Sequence, residues 1–209
     1  MEGRKEGRKE GRRGIDLMEP FNSYLNFKTG EILENCKVIV RHLSDMEGMY
    51  HDLEATRKII KEGDRLIYRV YNIDIPEEYG HLQHCTSIIY PGRVGDEYHM
   101  TKGHFHVQED TAEIYLVLQG TGKLLMQKKD TEVKILDMQP GSISYIPPYW
   151  AHRTINTGNT PLIFFAVYPG EAGHNYGIIE NKGFGKLIVE RNGQSKVIDN
   201  PKYLKNIVI

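Results

Sequence analysis

The sequence predicts a single, mainly β domain built as an antiparallel sandwich or barrel. From Leu66 onward, short runs that alternate apolar and polar residues follow one another for about a hundred residues. Turn signals rich in Gly, Pro and Asn separate these runs, and no helical pattern comes between them. The length of 209 residues suits one domain with one sizeable core.

Residues 1–17 form a polar segment dominated by a repeat of Glu, Gly, Arg and Lys. Such a segment has little to bury, so we predict a disordered tail at 1–17 and one domain at 18–209. A basic arm for nucleic acid is the alternative, but the interspersed glutamates weaken it. Met18 is a second candidate for the natural start of the chain.

The next two elements are a hairpin and a helix. "FNSYLNFKTGEIL" alternates around a Thr29-Gly30 turn, which indicates an early strand or hairpin. "SDMEGMYHDLEATRKIIKEGD" has helical spacing of apolar residues, and Ser44 with Glu47 matches a capping box. Gly48 weakens the interior of this helix, which favours a break into two short pieces.

The remaining chain reads as strands. The predicted strands are "LIYRVYNI", "CTSIIY", "EIYLVLQ", "KLLMQ", "VKILDM", "SISYI" and "PLIFFAVYP". In "KLIVERNGQSKVID", Asn192-Gly193 stands between two alternating runs, which is the strongest hairpin signal in the sequence. Closely spaced strands of this kind favour antiparallel pairing.

Charge and composition exclude several classes of partner. With 27 Lys and Arg against 28 Asp and Glu, the chain has no global charge that would favour nucleic acid or an anionic membrane. No run approaches the length of a membrane span, and we predict a cytoplasmic protein that binds a small molecule. Cys36 and Cys85 match neither a disulfide framework nor a close zinc-binding pair, so we expect both to be buried thiols.

The stretch "TKGHFHVQEDTAEIY" contains the first candidate site. His104 and His106 lie two residues apart on an extended segment, so both side chains leave the same face. Glu113 begins the next strand, and His152 follows "YIPPYWA". Three imidazoles and one carboxylate would bind a divalent transition metal and leave coordination positions open. The pair alone is weak evidence, because histidines also serve as half-buried hydrogen-bonding residues.

Both segments resemble the two signature motifs of the cupin superfamily. The first motif is matched by His104, His106, Glu113 and Gly120, and the second by Gly141, Pro147, His152 and Asn156. This resemblance implies one cupin barrel, a double-stranded β-helix or jelly roll, with one or two short helices near the N-terminus. The spacer of six residues between His106 and Glu113 is longer than is usual in cupins, and Tyr149 stands where the second motif usually has glycine.

Both departures match one subfamily. The strings "TKGHFH", "AEIY", "PPYWAHRT", "YPG", "GHNYG" and "KGF" resemble the archaeal cupin-type glucose-6-phosphate isomerases, with similarity from about Glu19 to about Lys202. The resemblance implies a homodimeric, metal-dependent isomerase acting on a sugar phosphate. The metal would be Fe²⁺ in the first instance, with Ni²⁺, Zn²⁺, Co²⁺ and Mn²⁺ as alternatives.

The resemblance also assigns roles to individual residues. It implies metal ligands at His104, His106, Glu113 and His152, phosphate contacts at Tyr68, Ser87, Thr101 and Gly103, and further pocket residues at Tyr115, His174 and Tyr176. Ser87 replaces a threonine of the family and keeps the hydroxyl. Thr111 replaces an expected tyrosine, which puts a substrate contact from that side chain in doubt. Without the resemblance, Tyr68 and Tyr115 read equally well as aromatic residues packed in a barrel.

The reaction itself has two possible routes. A base can remove the C2 proton through a cis-enediol, or hydride can pass directly between C1 and C2. Glu113 is a candidate base by type and position, yet a carboxylate that donates to a cation loses basicity. From the resemblance we expect the catalytic side chains to be Glu113, Tyr115 and His174. Two other functions stay open from the site alone: a dioxygenase using iron at the same ligand set, and a sugar-binding cupin without catalysis.

Overall fold

The computed structural model of the protein describes residues 18–129 and 132–205. Thirteen strands in that part of the chain form three sheets. The strands are β1 (Cys36–His42), β2 (Leu66–Ile73), β3 (Leu82–Ile89), β4 (Arg93–Val94), β5 (Glu97–Tyr98), β6 (Glu113–Gln119), β7 (Gly122–Gln127), β8 (Val133–Met138), β9 (Ile143–Ile146), β10 (Ala151–Asn156), β11 (Leu162–Pro169), β12 (Lys186–Arg191) and β13 (Gln194–Asp199).

All strand pairings among the described residues are antiparallel. The six-stranded sheet has the order β1-β2-β3-β11-β6-β9, the three-stranded sheet β10-β7-β8, and the four-stranded sheet β13-β12-β5-β4. One hydrophobic core joins all three, with Tyr68 from the first, Leu124 from the second and Ile188 from the third among its members. The predicted fold class, a mainly β cupin barrel, is confirmed.

The helical region near the N-terminus divides as expected but begins differently. A 3₁₀ turn spans Ser44–Met46, and α1 spans Leu53–Gly63. Gly48 has φ +80° in the connection, a backbone conformation that suits glycine. The predicted capping box at Ser44 is wrong: Asp52 caps α1 by accepting from the Ala55 N–H at 2.9 Å. The Ser44 hydroxyl instead donates to Asp64 at 2.7 Å and so ties the turn to the end of α1.

Two further helices and several strands were not predicted. The helices are α2 (Gly177–Lys182) and α3 (Pro201–Lys205), and the strands are β1, β4, β5 and β10. All six residues of β10 are buried although its sequence, "AHRTIN", is largely polar. The Asn156 amide, for example, donates to the carbonyls of Ile89 at 2.8 Å and Thr160 at 2.9 Å.

The predicted hairpins are present. Asn192 and Gly193 have φ of +55° and +76° between β12 and β13, as the Asn-Gly turn requires. Near the N-terminus, Leu25 bridges to Ile32 around the predicted turn. Cys85 is buried as expected, whereas Cys36 is only partly buried, and both are free thiols.

Some sequence predictions fall outside the described residues. The tail at 1–17 and the end of the predicted domain, 206–209, are among them. Within the described ranges, every helix is too short or too polar to cross a lipid bilayer.

Candidate metal centre

Backbone pairing brings the two cupin motifs together. His104 and His106 lie in the segment between β5 and β6, and His152 lies in β10. His104 and His152 form an antiparallel bridge, in which each N–H donates to the other's carbonyl at 3.2 and 3.0 Å. Two residues paired this way present their side chains on one face. This bridge is why motifs separated by more than forty residues meet at one point.

The four predicted ligands form one cluster. Each of His104, His106, Glu113 and His152 offers a ligand atom, and these atoms lie within 4.8 Å of one another. His106, Glu113 and His152 are buried, and His104 is half-buried. Nε2 of His106 lies 3.3 Å from Glu113 Oε2, and Nε2 of His152 lies 2.9 Å from the same oxygen.

The cluster has unmet bonding capacity. The Nε2 atoms of His104 and His152 are buried without a partner in hydrogen-bonding geometry. A buried polar atom left unpaired costs free energy, so native proteins rarely keep one without a ligand or a function. Three imidazoles and one carboxylate are the donor set that a divalent transition metal binds. The residues present therefore fit such an ion.

The charge states also suit a metal centre. Burial, and then the neighbouring imidazoles, lower the pKa of His104 well below its usual value, so the ring is neutral and its lone pair is free. Burial by itself would raise the pKa of the Glu113 carboxyl, but the neighbouring imidazoles of His152 and His106 outweigh it and bring that pKa to about 2. Glu113 is thus held as a carboxylate, the form that binds metals.

Thr111 fixes the orientation of the His106 ring. Its hydroxyl donates to the Gln108 carbonyl at 2.6 Å and lies 2.8 Å from His106 Nδ1. Because the single hydroxyl hydrogen goes to Gln108, the Nδ1 group of His106 is the donor in the second contact. The proton then sits on Nδ1, and the Nε2 lone pair faces the Glu113 carboxylate. Two acceptors that face each other across 3.3 Å favour a cation between these groups.

A cavity of about 170 Å³ lies beside this cluster. Every predicted substrate residue lines it, namely Tyr68 of β2, Ser87 of β3, Thr101 and Gly103 of the motif loop, Tyr115 of β6, and His174 and Tyr176 from the segment between β11 and α2. Gly103 has φ +74°, and a Cβ there would lie 2.7 Å from Phe184 Cε2 and 2.9 Å from the His152 carbonyl oxygen. Only glycine fits this position without strain.

Aromatic rings form the wall next to the histidines. The His174 ring lies 4.4 Å from the His104 ring and 6.1 Å from the Tyr176 ring, measured between centroids. Burial lowers the pKa of His174, so its imidazole is neutral at neutral pH. Burial raises the pKa of Tyr115 well above its usual value, and its phenol keeps its proton.

The sequence prediction missed one cation that lines this cavity, Lys102, and one that lies opposite a lining residue, Arg41. Lys102 lines it, and its Nζ lies 3.4 Å from Glu180 and 6.0 Å from the centre of the Tyr176 ring. Arg41 is opposite Tyr68 in the β1–β2 pairing, and its positive charge opposes the rise that burial causes in the pKa of Tyr68. Lys102 stands inside "TKGHFH" and could have been proposed from its position, whereas Arg41 carried no local signal. Tyr168 is a further lining residue that was not predicted.

Comparison with known proteins places these observations in context. A family model described as glucose-6-phosphate isomerase matches residues 40–205. The chain is 52% identical over 185 residues to a glucose-6-phosphate isomerase of Thermococcus litoralis, covering 88% of this chain and 97% of that one. It is 47% identical to a protein of the same name from Pyrococcus furiosus, over 90% and 98% of the two chains.

The likeness extends beyond the archaea. A glucose-6-phosphate isomerase of Sinorhizobium medicae is 32% identical, with 90% of each chain covered. Among solved structures, a Bacillus subtilis oxalate decarboxylase has a TM-score of 0.42 and 19% identity over 51% of this chain and 27% of that chain, which is too slight a likeness to carry an argument.

Proposed function

The chain belongs to the glucose-6-phosphate isomerase family, and from this membership we propose that it interconverts glucose 6-phosphate and fructose 6-phosphate in a metal-dependent reaction at the cavity of the candidate centre. One observation carries the metal-dependent part: the cluster of His104, His106, Glu113 and His152 borders the same cavity as a set of hydroxyl and backbone donors. A site for a sugar phosphate needs the metal ligands and the phosphate-binding donors to lie within the length of one substrate molecule.

His104, His106, Glu113 and His152 would hold the metal. When bound, a divalent ion there supplies Lewis acidity that polarises the sugar carbonyl and offsets developing negative charge. We propose Fe²⁺ first, with Ni²⁺, Zn²⁺, Co²⁺ or Mn²⁺ as alternatives, because imidazole and carboxylate ligands suit all of them.

The phosphate group would be held at the other side of the cavity. Tyr68, Ser87 and Thr101 offer hydroxyls, and Gly103 lets the backbone approach closely. Hydrogen bonds from such donors to a charged oxygen are stronger than those to a neutral acceptor. Lys102 lines the same cavity and Arg41 lies opposite Tyr68, so the phosphate end is more cationic than the sequence alone suggested.

The proposed catalytic side chains are Glu113, Tyr115 and His174. The lowered pKa of Glu113 favours its role as a ligand over a role as a base. His174, a neutral imidazole beside His104, can accept a proton from the substrate, and the protonated Tyr115 phenol can donate a hydrogen bond. These two side chains therefore serve the proton-transfer route better than Glu113 does.

Isotope exchange separates the two routes. Isomerisation in deuterium oxide incorporates solvent deuterium at C2 if a base removes the proton. Complete retention of the substrate hydrogen would instead support direct hydride transfer and would leave His174 without its proposed role.

A homodimer belongs to the same proposal. The pair Ile114 and Tyr145, opposite each other on β6 and β9, is exposed on the outside of the six-stranded sheet, as is Ile143. Exposed apolar side chains grouped in this way are typical of contact surfaces. Light scattering coupled to size exclusion should give twice the chain mass, and a monomer at all concentrations would contradict this part.

The activity is tested with the full-length protein under anaerobic conditions. We expect turnover of fructose 6-phosphate without oxygen, loss of turnover after chelation, and its return when a single divalent metal is restored. Turnover that needs oxygen would instead indicate a dioxygenase. Sugar-phosphate binding without turnover in the presence of any of the listed metals would indicate a binding protein.

A further inference from the structure

A buried arginine lies directly behind the Thr101–Gly103 segment. Arg153 is 3% exposed and follows the ligand candidate His152 in β10. Neighbouring residues of a strand point in opposite directions, so Arg153 faces away from the cavity that His152 faces. None of the proposed catalytic steps uses this guanidinium.

Arg153 binds one carbonyl group of the segment. Its Nε and Nη2 both donate to the Lys102 carbonyl oxygen, at 3.1 and 2.6 Å. The guanidinium carbon lies 4.8 Å from the centre of the Phe184 ring. Both the fork of two donors and the ring below it restrict where this guanidinium can move.

That contact determines the direction of the next N–H. The carbonyl of Lys102 and the N–H of Gly103 belong to the same peptide unit, which is planar and trans, so they point in opposite directions. Arg153 holds the Lys102 carbonyl on the side of the segment that faces away from the cavity. The Gly103 N–H is therefore directed to the opposite side, where Gly103 lines the cavity. The described part of the chain offers this N–H no acceptor.

The start of the same segment is held by Thr154. The Thr101 N–H donates to the Thr154 carbonyl at 2.9 Å, and the Thr101 Oγ1 accepts from the Thr154 N–H at 3.1 Å. The end of the segment held by Thr154 is thus fixed by backbone pairing. The peptide between Lys102 and Gly103 depends on Arg153.

We propose that Arg153 is a positioning residue for phosphate recognition, which holds the Lys102 carbonyl so that the Gly103 N–H points at the phosphate of the substrate. This inference rests on the proposed function, since it takes the phosphate to bind beside Gly103. Arg153 touches no substrate and acts only through the peptide that it orients.

The test compares Arg153→Met and Arg153→Lys with the wild type. Arg153→Met keeps much of the apolar volume and removes both donors, whereas Arg153→Lys keeps the charge and one donor. The readouts are the Kd of inorganic phosphate, measured by titration calorimetry on full-length metal-loaded protein, and kcat and KM for fructose 6-phosphate. For Arg153→Met we expect phosphate affinity to fall and KM to rise by about 10- to 100-fold, the effect of losing one hydrogen bond to a charged group.

The proposed positioning role and a purely structural role predict different results for kcat and for the conservative variant. We expect kcat of Arg153→Met to stay within about twofold of wild type, since the metal cluster is on the other face of β10, and Arg153→Lys to recover part of the affinity. Glu97→Gln is the matched control: Glu97 is buried and its charge acts on Arg153, but it does not touch the segment. This control should leave phosphate affinity unchanged.

Each outcome decides the inference. Unchanged phosphate affinity in Arg153→Met overturns it, as does a loss that Glu97→Gln shares equally. If Arg153→Met does not fold, Arg153→Lys decides in its place, and wild-type affinity in that variant overturns the inference. A wild type that turns over sugar phosphate yet binds no phosphate also refutes it, whereas a wild type with no isomerase activity refutes the proposed function first.

Discussion

Replacement of Gly103 by alanine tests the packing that joins the metal ligands to the phosphate side of the cavity. Gly103 has φ +74°, and its added Cβ would lie 2.7 Å from Phe184 Cε2, 2.9 Å from the His152 carbonyl oxygen and 3.0 Å from Arg153 Cβ. Two of these neighbours are a backbone atom and a Cβ, which cannot swing aside. The chain must therefore shift where Thr101–Gly103 meets β10.

The expected loss of stability has three terms. A left-handed conformation costs a non-glycine residue about 1–2 kcal/mol. Forcing an extra methyl into a packed site costs about 1–3 kcal/mol. Alanine offsets about 0.4–1 kcal/mol of this by reducing the freedom of the unfolded chain. Together these terms give a net destabilisation of Gly103→Ala of about 1–5 kcal/mol.

Gly141→Ala isolates the packing term. Gly141 has φ +87°, and a Cβ there would meet nothing within 4 Å. The cost of the left-handed conformation and the effect on the unfolded chain are therefore the same in both variants. The difference between their losses in free energy of unfolding is then the cost of the steric overlap at Gly103, about 1–3 kcal/mol. Denaturant unfolding of both variants in the same metal state measures it, and KM for fructose 6-phosphate should rise only in Gly103→Ala. Equal stability losses in the two variants would refute the packing described around Gly103.

Two further predictions concern groups behind the site. Thr111→Val removes the hydroxyl 2.8 Å from His106 Nδ1 and leaves that nitrogen the Thr111 carbonyl at 3.3 Å, so metal affinity should weaken by about 10- to 100-fold, with Thr111→Ser restoring it. Dialysis against a metal buffer measures this, and an affinity equal to wild type would show that the Thr111 hydroxyl does not orient the ring. Burial raises the pKa of Glu97 to about 7 from 4.5, so folding favours its protonated form, and the stability it contributes is present below pH 4.5 and lost as pH rises to 7. The free energy of unfolding of the wild type should therefore fall by about 3 kcal/mol relative to that of Glu97→Gln between pH 4.5 and 7, with no further relative loss above pH 7. Free energies of unfolding that change with pH in parallel in the two proteins would contradict the raised pKa.

Period-two patterns were sufficient to predict most of the barrel. The boundaries of β2, β6 and β8 follow the runs that alternate in the sequence, because one face of each strand is buried more than the other. β10 escaped detection because all of its six residues are buried and four of them are polar, so no alternation marks it. Its stability depends on partners far away in sequence, such as the Ile89 carbonyl that accepts from Asn156.

The helix start shows a similar limit. Ser44 and Glu47 have the spacing of a capping box, yet the Ser44 hydroxyl bonds to Asp64, a residue at the far end of α1. A local pattern cannot reveal such a partner. Asp52, the observed cap, is also a favourable capping residue by type, and only the break at Gly48 makes it the better one.

The candidate site was also predictable from the sequence only in part. Residue type and the cupin resemblance were enough to name the four-residue cluster and the lining of the cavity. The groups that orient them were not predictable: the contact of Thr111 with His106 and that of Arg153 with Lys102 depend on which backbone atoms come to lie beside these side chains. Only the folded chain brings them together.

The dependence of isomerisation on metal bound at the four-residue cluster is tested most directly by measuring metal content and activity in the same samples. Chelated full-length protein is titrated anaerobically with Fe²⁺, and bound metal and the rate with fructose 6-phosphate are both recorded at each step. We predict a rate that rises in proportion to bound metal and stops rising at one ion per chain, with no such rise in His152→Ala. Full activity in the metal-free protein, or equal metal-dependent activity in His152→Ala, would contradict it.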